Sequence, residues 1–160
     1  MRLFTPDFMF QSVTRITPEF LRENGIRALV LDVDNTLTTH GSPTPGDGVL
    51  EWLDQMRRAG IPMTIVSNNS RARVEPFAKM LGLSFVSRGC KPLTVGMSRA
   101  CRELGLPPQQ VAIVGDQLFT DMVGGKLKGM KCILTAPIKE EDGPFFRFKR
   151  RLESRLMRKK

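Results

Sequence analysis

Two aspartates that end an apolar run are the first residues of this chain whose types and spacing indicate chemistry. In "ALVLDVDNTLT", Asp32 and Asp34 stand two positions apart, directly after a run of aliphatic side chains. Carboxylates packed this closely raise each other's pKa and need a counter-charge. Mg²⁺ suits them, because it binds oxygen ligands and usually takes one or two carboxylates together with phosphate oxygens and water. The pair therefore predicts a Mg²⁺ site.

Three further groups of polar residues each follow a predicted strand. Ser67 and Asn68 come after "IPMTIV", Lys91 opens the segment after a third strand, and Asp116 and Asp121 follow "VAIVG". A phosphate group fits this set, because the metal and Lys91 neutralise its oxygens while Ser67 and backbone N–H groups donate to them. The acidic residues that supply the negative charge are Asp32, Asp34, Asp116 and Asp121.

The chemistry that this set predicts is hydrolysis of a phosphate ester. One aspartate attacks phosphorus and forms an aspartyl-phosphate. A second protonates the leaving oxygen and then takes a proton from the hydrolytic water. Each group has an ordinary alternative, since Asp and Asn at strand ends mostly make turns and caps, and a lone lysine is mostly solvated. Four groups in order, all after strands, are hard to explain as turn chemistry.

The elements that must position these side chains are short apolar strands alternating with helical stretches. The alternation predicts an α/β, Rossmann-like three-layer fold with a five-stranded parallel sheet covered on both faces. Ligands of such sheets bind outside the carboxyl ends of the strands, where all four groups fall. The predicted strands are 26–33, 61–67, 83–87, 111–115 and 131–135, and the predicted helices are 47–60, 70–81, 91–104 and a last one ending near residue 128.

At these residues the sequence resembles the haloacid dehalogenase (HAD) superfamily of aspartyl-phosphate phosphohydrolases. "LDVDNTLT", "VSNNS", "CKP" and "VGDQLFTD" are similar to its four motifs. The resemblance implies that Asp32 is the nucleophile, that Asp34 is the general acid/base and that Lys91 balances charge. It implies substrate-side roles for the hydroxyl and amide residues Thr36, Ser67 and Asn68. It implies Mg²⁺ ligands in Asp32, the backbone carbonyl of Asp34, Asp116 and, in a supporting or second-metal role, Asp121.

A closer resemblance covers nearly the whole chain. "GDQLFTDMVGGKLKGMKCILTAPI" and the start "LFTPDFMFQSVTRITPEFLRENGI" resemble the bacterial YqeG group of subclass IIIA, which is similar to the mitochondrial phosphatidylglycerophosphatases. The gaps between motifs leave no room for a cap domain, since 37–49 is a turn-rich loop and 70–90 holds one helix and one strand. An open site is expected to admit a phosphate displayed on a membrane, a protein or a nucleic-acid end.

The positive charge is concentrated in the last sixteen residues, "FFRFKRRLESRLMRKK". They carry +7 of the net charge of +9, and their apolar residues Phe145, Phe148, Leu152 and Leu156 fall on one face of a helix. Basic amphipathic helices bind anionic phospholipid surfaces. We therefore predict a phosphatase domain at 1–144 and a basic amphipathic tail at 145–160. The alternatives are that the stripe packs on the domain, or that the tail binds RNA, which is less favoured without an aromatic platform.

Other features restrict the location and the class of the protein. No apolar run reaches about 18 residues, so no membrane-spanning helix is expected. The N-terminus has an acid and a proline where a signal peptide has its apolar core. Three widely spaced cysteines suit neither a disulfide framework nor a zinc site, and fit a reducing cytoplasm. We expect a cytoplasmic protein, peripheral at the inner membrane surface. The lone His40 is left out of the catalytic set, because a single loop histidine is mostly plain surface.

Together these features predict a Mg²⁺-dependent phosphomonoesterase that acts through an aspartyl-phosphate. Family resemblance makes phosphatidylglycerophosphate the first substrate to consider. Two alternatives stay open: a phosphatase for a protein or nucleic-acid phosphate, and a non-enzymatic module that binds RNA or the ribosome with a retained HAD fold.

Overall fold

A computed structural model of the chain describes residues 3–138, 150–151 and 153–155. Its centre is a parallel sheet of six strands: β1 Phe8–Phe10, β2 Ala28–Leu31, β3 Met63–Val66, β4 Ser84–Val86, β5 Val111–Gly115 and β6 Lys131–Thr135. The order across the sheet is β1-β6-β5-β2-β3-β4. All neighbouring strands pair in parallel. The α/β fold with a parallel sheet is therefore confirmed.

Helices cover both faces of the sheet. The helices are α1 Pro18–Glu23, α2 Val49–Arg58, α3 Arg71–Leu81, α4 Val95–Leu104 and α5 Val123–Lys128. Alternate side chains of β2 point to opposite faces. Leu29 and Leu31 join a core with residues of α2 and α3, and Ala28 and Val30 join a second core with residues of α4. The three predicted layers follow from this alternation.

The predicted count of five strands is wrong by one, because the N-terminal strand β1 adds an edge to the sheet. It pairs with β6 through Phe8 opposite Ile133 and Phe10 opposite Thr135. The rings of Phe8 and Phe10 pack edge-on against Phe20 of α1, with centroids 4.8 and 4.9 Å away. Three residues are too short a run to show the alternation by which a strand is recognised in a sequence.

The order of the strands places the predicted site. From β2 the chain runs outward to β3 and β4, and then returns to β5 on the other side of β2. The carboxyl ends of β2 and β5 therefore flank the switch point, where parallel sheets of this kind bind ligands. Within residues 3–138, a loop alone joins β2 to α2, and α3 alone joins β3 to β4. These links confirm a core without a cap domain.

The predicted tail lies largely outside the described residues. Phe145, Phe148, Leu152 and Leu156, which form its proposed apolar stripe, are among those outside. Residues 150–151 and 153–155 have helical backbone, and Glu153 is buried. The division at residue 144 thus stays a prediction. In the part of the chain that the structure describes, no helix combines the length and apolar character needed to cross a membrane.

Candidate active site

Three aspartates meet at the carboxyl edge of the sheet. Asp32 follows β2, Asp116 follows β5, and Asp121 lies in the π-helical turn Leu118–Met122 that leads into α5. One carboxylate oxygen from each lies within 4.8 Å of the others. Gly115 makes this approach possible, because a Cβ at that position would lie 2.1 Å from Oδ2 of Asp121. The structure thus brings Asp32, Asp116 and Asp121 together at this edge.

Lys91 lies between two of these carboxylates. Its Nζ donates to Oδ1 of Asp32 at 3.1 Å and to Oδ1 of Asp121 at 2.6 Å. The side chain is only 2% exposed, and a buried charge persists only when it is paired. Burial lowers the pKa of Lys91, but the charges of Asp121 and Asp32 outweigh burial, and the pKa is raised. The lysine therefore stays protonated and supplies a fixed positive charge.

The carboxyl groups of the cluster hold protons more tightly than ordinary aspartates. Burial and then the charge of Asp121 raise the pKa of Asp32 to about 6, against the opposing effect of Lys91. Burial and then the charge of Asp32 raise the pKa of Asp116 to about 7, against Arg150. Burial also raises the pKa of Asp121. A cation among these oxygens would relieve their mutual repulsion.

The donor set fits Mg²⁺. The cluster offers carboxylate oxygens alone, which are the ligands that this hard cation takes in proteins. Oδ1 of Asp116 is buried and has no hydrogen-bond partner within the described residues. A buried polar atom of this kind is costly unless something binds it. Asp116 is therefore the residue at which the case for a metal ligand is strongest.

Asp34 belongs to a different set of contacts. Its carboxylate accepts hydrogen bonds from the backbone N–H of Gly41 at 2.9 Å, from Arg73 at 2.9 Å and from the Asn69 amide at 2.5 Å. Burial raises the pKa of Asp34, but the Gly41 N–H, Arg73 and Asn69 together outweigh it, and the pKa is lowered. The carboxyl group is thus ionised in this arrangement. Its predicted metal contact runs through the backbone carbonyl and stays a prediction.

Arg73 is a site residue that the sequence reasoning missed. It lies in the first turn of α3, whose N-terminus faces the same crevice. Its guanidinium also lies over the ring of Phe77, with 5.5 Å from Cζ to the ring centroid. The sequence did contain an indication of this role. The helix predicted from Ser70 directly follows the second motif, so an arginine three residues into that helix can reach a carboxylate of the site.

The remaining predicted residues surround the cluster. The Asn68 amide pairs with the backbone of Lys91, donating to its carbonyl at 3.0 Å and accepting from its N–H at 2.7 Å. Its side chain thus holds the backbone of Lys91 in place, and its predicted contact with a substrate stays a prediction. Ser67 is buried, and its Oγ accepts from the N–H of Asn69 at 3.1 Å, so its hydroxyl proton can still be donated. Oγ1 of Thr36 is buried, and no described residue hydrogen-bonds to it.

A cavity of about 460 Å³ adjoins the cluster on the side of Asp116. Its walls come from the ends of β1 and β6 and from the C-terminal segment, including Thr135, Arg150 and Glu153. Arg150 is a second residue that the sequence reasoning missed, because the tail was considered for contacts with a membrane, with RNA or with the domain, and not for a contact with the acidic cluster. Of the three clustered aspartates, Asp116 is the one that lines this cavity.

Comparisons with known proteins assign the chain to a family. The family of haloacid dehalogenase-like hydrolases matches residues 42–127, and the family of mitochondrial PGP phosphatases matches residues 1–79. The chain is 36% identical over 156 residues to the probable phosphatase YqeG of Bacillus subtilis (strain 168), covering 98% of this chain and 91% of that protein. The chain belongs to the HAD-like hydrolases.

Other similarities of this HAD hydrolase are more distant. It is 24% identical to phosphatidylglycerophosphate phosphatase 1, chloroplastic/mitochondrial, of Arabidopsis thaliana, over 96% of this chain and 47% of that protein. The chain thus spans about half the length of that relative. The crystal structure of D,D-heptose 1,7-bisphosphate phosphatase from B. bronchiseptica with magnesium and phosphate matches with a TM-score of 0.56 and 18% identity, over 68% of this chain and 80% of that one. The resemblance to HAD phosphatases seen in the motifs is confirmed.

Proposed function

We propose that this HAD phosphatase is a Mg²⁺-dependent phosphomonoesterase that forms an aspartyl-phosphate on Asp32. The observation that carries the proposal is the buried cluster of three aspartates around Lys91 at the switch point of the sheet. Asp32, Asp116 and the backbone carbonyl of Asp34 would hold the metal, with Asp121 in support. When bound, Mg²⁺ would neutralise charge on the phosphoryl oxygens and orient the phosphate.

The two aspartates of the first motif divide the chemistry. The Asp32 carboxylate attacks phosphorus, the bond to the leaving oxygen breaks, and an acyl phosphate forms. Asp34 donates a proton to that oxygen and later removes one from the water that attacks the intermediate. The contact with Arg73 favours ionised Asp34, which suits the second step. The first step requires this ion pair to loosen, so that Asp34 can carry a proton.

The residues around the aspartates bind the phosphate and orient the catalytic side chains. Lys91 balances the charge of Asp32 and of the phosphate, and Asn68 fixes the backbone that carries Lys91. Ser67 donates its hydroxyl to a phosphate oxygen, and Thr36 orients the aspartate loop. The burial of Lys91, Ser67 and Thr36 keeps water from competing for their contacts, which strengthens each of them.

We infer that the substrate carries its phosphate on something large, with phosphatidylglycerophosphate as the leading candidate. Within the described residues no cap domain covers the carboxyl edge of the sheet, so they do not enclose a small metabolite. The match of residues 1–79 to the mitochondrial PGP phosphatase family supports this substrate, as does the +7 charge of residues 145–160. That charge would hold the enzyme at an anionic membrane surface, each nearby basic residue contributing roughly 1 kcal/mol.

The reaction class is tested with a generic aryl phosphate and Mg²⁺. Wild type is expected to turn over, and Asp32→Asn to fall by roughly 10³-fold or more. Asp54→Asn is the matched control, because it is the same substitution at an exposed position on α2. Wild-type turnover that does not exceed that of Asp32→Asn would favour the RNA- or ribosome-binding module instead.

The substrate is tested by phosphate release from phosphatidylglycerophosphate in vesicles and from a soluble head-group analogue. Wild type is compared with a variant in which Arg158, Lys159 and Lys160 are replaced by glutamate. We expect it to lose at least about tenfold on vesicles and to match wild type on the soluble analogue. Equal activity of both proteins on vesicles removes the membrane argument. Preference for a phosphopeptide or a nucleic-acid 5′-phosphate in the same assay favours those substrates.

A further inference from the structure

The C-terminal segment reaches into the acidic cluster through one side chain. Arg150 donates from Nη2 to Oδ2 of Asp116 at 2.5 Å and from Nη1 to the backbone carbonyl of Asp116 at 2.6 Å. The arginine side chain is 28% exposed, and that of Asp116 is fully buried. The planar fork of a guanidinium can hold two acceptors of one residue in a fixed relation. The contact therefore fixes both the backbone and the side chain of Asp116.

The contact occupies one carboxylate oxygen and leaves the other. Oδ2 of Asp116 is bound to Arg150, while Oδ1 is buried with no hydrogen bond to any described residue. A carboxylate that binds a metal is commonly held from behind by a hydrogen-bond donor, which orients the oxygen that faces the ion. Asp116 has this arrangement, because Oδ2 accepts from Arg150 and Oδ1 has no described hydrogen-bond partner.

Arg150 is itself held by a second carboxylate, because its Nη1 lies 3.5 Å from Oε2 of Glu153. Counted together with Glu153, the arginine adds no net charge to the cluster. Its effect on the metal site is therefore expected through the geometry of Asp116 rather than through charge.

We propose that Arg150 is a positioning residue for the metal site, so that the C-terminal segment is part of the active site as well as a candidate membrane contact. The inference rests on the proposed Mg²⁺ dependence. Arg150 acts through Asp116: it holds Oδ2 and the backbone carbonyl, and thereby presents Oδ1 to the cation. Deleting residues 145–160 would therefore impair metal binding even when no membrane is present.

The test is the dissociation constant for Mg²⁺, measured by isothermal titration calorimetry on the full chain without substrate. Arg150→Ala is expected to weaken binding by at least about tenfold. The Mg²⁺ affinity of Arg150→Lys is expected to lie between those of Arg150→Ala and wild type, because lysine keeps the charge and loses the two-point contact. Arg151→Ala is the matched control, since Arg151 is the exposed neighbour, and it should bind as wild type does. Circular dichroism checks that each variant is folded. If Arg150→Ala does not fold, the comparison of Arg150→Lys with wild type is the test.

Asp116→Asn separates this inference from the proposed function. If wild type binds no Mg²⁺, or if Asp116→Asn binds it equally well, the metal site itself is wrong and the inference falls with it. If Asp116→Asn abolishes binding while both Arg150 variants bind as wild type does, the metal site stands and the role of Arg150 is overturned. Tighter binding by Arg150→Ala also overturns it, because Arg150 would then compete with the cation.

Discussion

The two aspartates of the first motif differ in what surrounds them. Asp32 is partly buried beside Asp121, and its pKa is raised to about 6 even with Lys91 alongside. The pKa of Asp34 is lowered by hydrogen bonds from Gly41 and Arg73 that outweigh burial. Surroundings that push the pKa values of two carboxyl groups apart are a common basis for dividing catalytic roles between them. Without a bound cation, however, these shifts run opposite to the roles of the first step, because a nucleophile must be ionised and a general acid protonated. The division into nucleophile and acid/base therefore rests on the motif and stays a prediction.

The contact between Arg73 and Asp34 leads to a prediction about pH. Arg73 is one of the groups that lower the pKa of Asp34, so Arg73→Gln should raise it. Protonated Asp34 would then persist to higher pH, and the alkaline limb of kcat/KM should move upward in pH. An alkyl phosphate is the substrate for this profile, because its leaving group needs the proton.

Arg71→Gln is the matched control for that profile. Arg71 lies two positions away on the same helix and pairs with Glu75 at the surface. Its pH profile should coincide with that of wild type. Coincident alkaline limbs for Arg73→Gln and wild type would exclude Arg73 as a determinant of the protonation of Asp34.

At this scale the sequence predicted the members of the acidic cluster but not the arginines that contact the aspartates. Asp32, Lys91, Asp116 and Asp121 were all predicted, and the structure brings them together. The motifs sit at strand ends, so the topology of a parallel sheet is enough to collect them. Arg73 and Arg150 were missed, because their contacts join positions 39 and 34 residues apart and depend on how a helix and a terminal segment pack. Asn68 was predicted on the substrate side, and the pairing of its amide with the backbone of Lys91 was not.

At the scale of elements, the close packing at the carboxyl end of β5 sets the geometry of the cluster. Gly115 ends this strand, and Asp121 folds back over it from the π-helical turn. Asp121 in turn receives Nζ of Lys91 at 2.6 Å. A glycine at this position therefore determines where two charged side chains lie. The sequence showed the glycine beside Asp116 without showing what approaches it.

Gly115→Ala should damage the site more than the fold. The new Cβ would lie 2.1 Å from Oδ2 of Asp121, so the carboxylate must move and Lys91 loses its nearer partner. We expect Mg²⁺ affinity to fall by at least about tenfold, with a cost of about 1–3 kcal/mol in the free energy of unfolding. Calorimetric titration and urea unfolding measure the two effects.

Gly125→Ala is the control for overpacking alone. Its Cβ would lie 2.4 Å from Cγ2 of Ile113, in the apolar core below α5. It should lose comparable stability and retain Mg²⁺ affinity. Equal Mg²⁺ affinity in Gly115→Ala and wild type would show that the position of Asp121 does not matter to the metal.

Most of the elements were predictable, and the exceptions have physical causes. β2, β3, β5 and β6 are apolar runs long enough to be recognised. α3 and α4 end at Leu81 and Leu104, as predicted, and Gly82 and Gly105 follow them in the left-handed conformation. The helix predicted from residue 91 begins at Val95, since residues 91–94 form the turn that meets Asn68. β1 and α1 are too short to show a period, and they form through contacts among Phe8, Phe10 and Phe20.

At the scale of the whole molecule, the buried carboxyl groups link metal binding to stability. The pKa of Asp32 is raised to about 6 and that of Asp116 to about 7, while an unfolded aspartate titrates near about 4. Between about pH 4 and 7 the folded protein therefore binds more protons than the unfolded chain. Stability from these groups falls as pH rises through that window in the absence of metal.

Mg²⁺ should therefore raise Tm more at pH 8 than at pH 5.5. At pH 8 both carboxyl groups are ionised and the cation offsets their repulsion, whereas at pH 5.5 it must first displace protons. A hundredfold excess over Kd stabilises by about 2.7 kcal/mol, or roughly 5–10 °C in a chain of this size. Thermal unfolding followed by circular dichroism measures the shift.

Asp116→Asn serves as the control for the thermal shift, because it removes one ligand and one of the two titrating groups. Its shift with Mg²⁺ should be small at both pH values. A wild-type shift that is equal at the two pH values, or larger at pH 5.5, would contradict the proposed ionisation of the cluster.

The most direct measurement concerns the covalent intermediate on Asp32. Enzyme mixed with excess substrate and Mg²⁺ is quenched in acid and treated with borohydride, which reduces an acyl phosphate to an alcohol. We predict that peptide mass spectrometry finds homoserine at position 32 in wild type, and none at position 34. Homoserine at another aspartate, or its absence from position 32 while phosphate is being released, would show that the reaction does not proceed through Asp32.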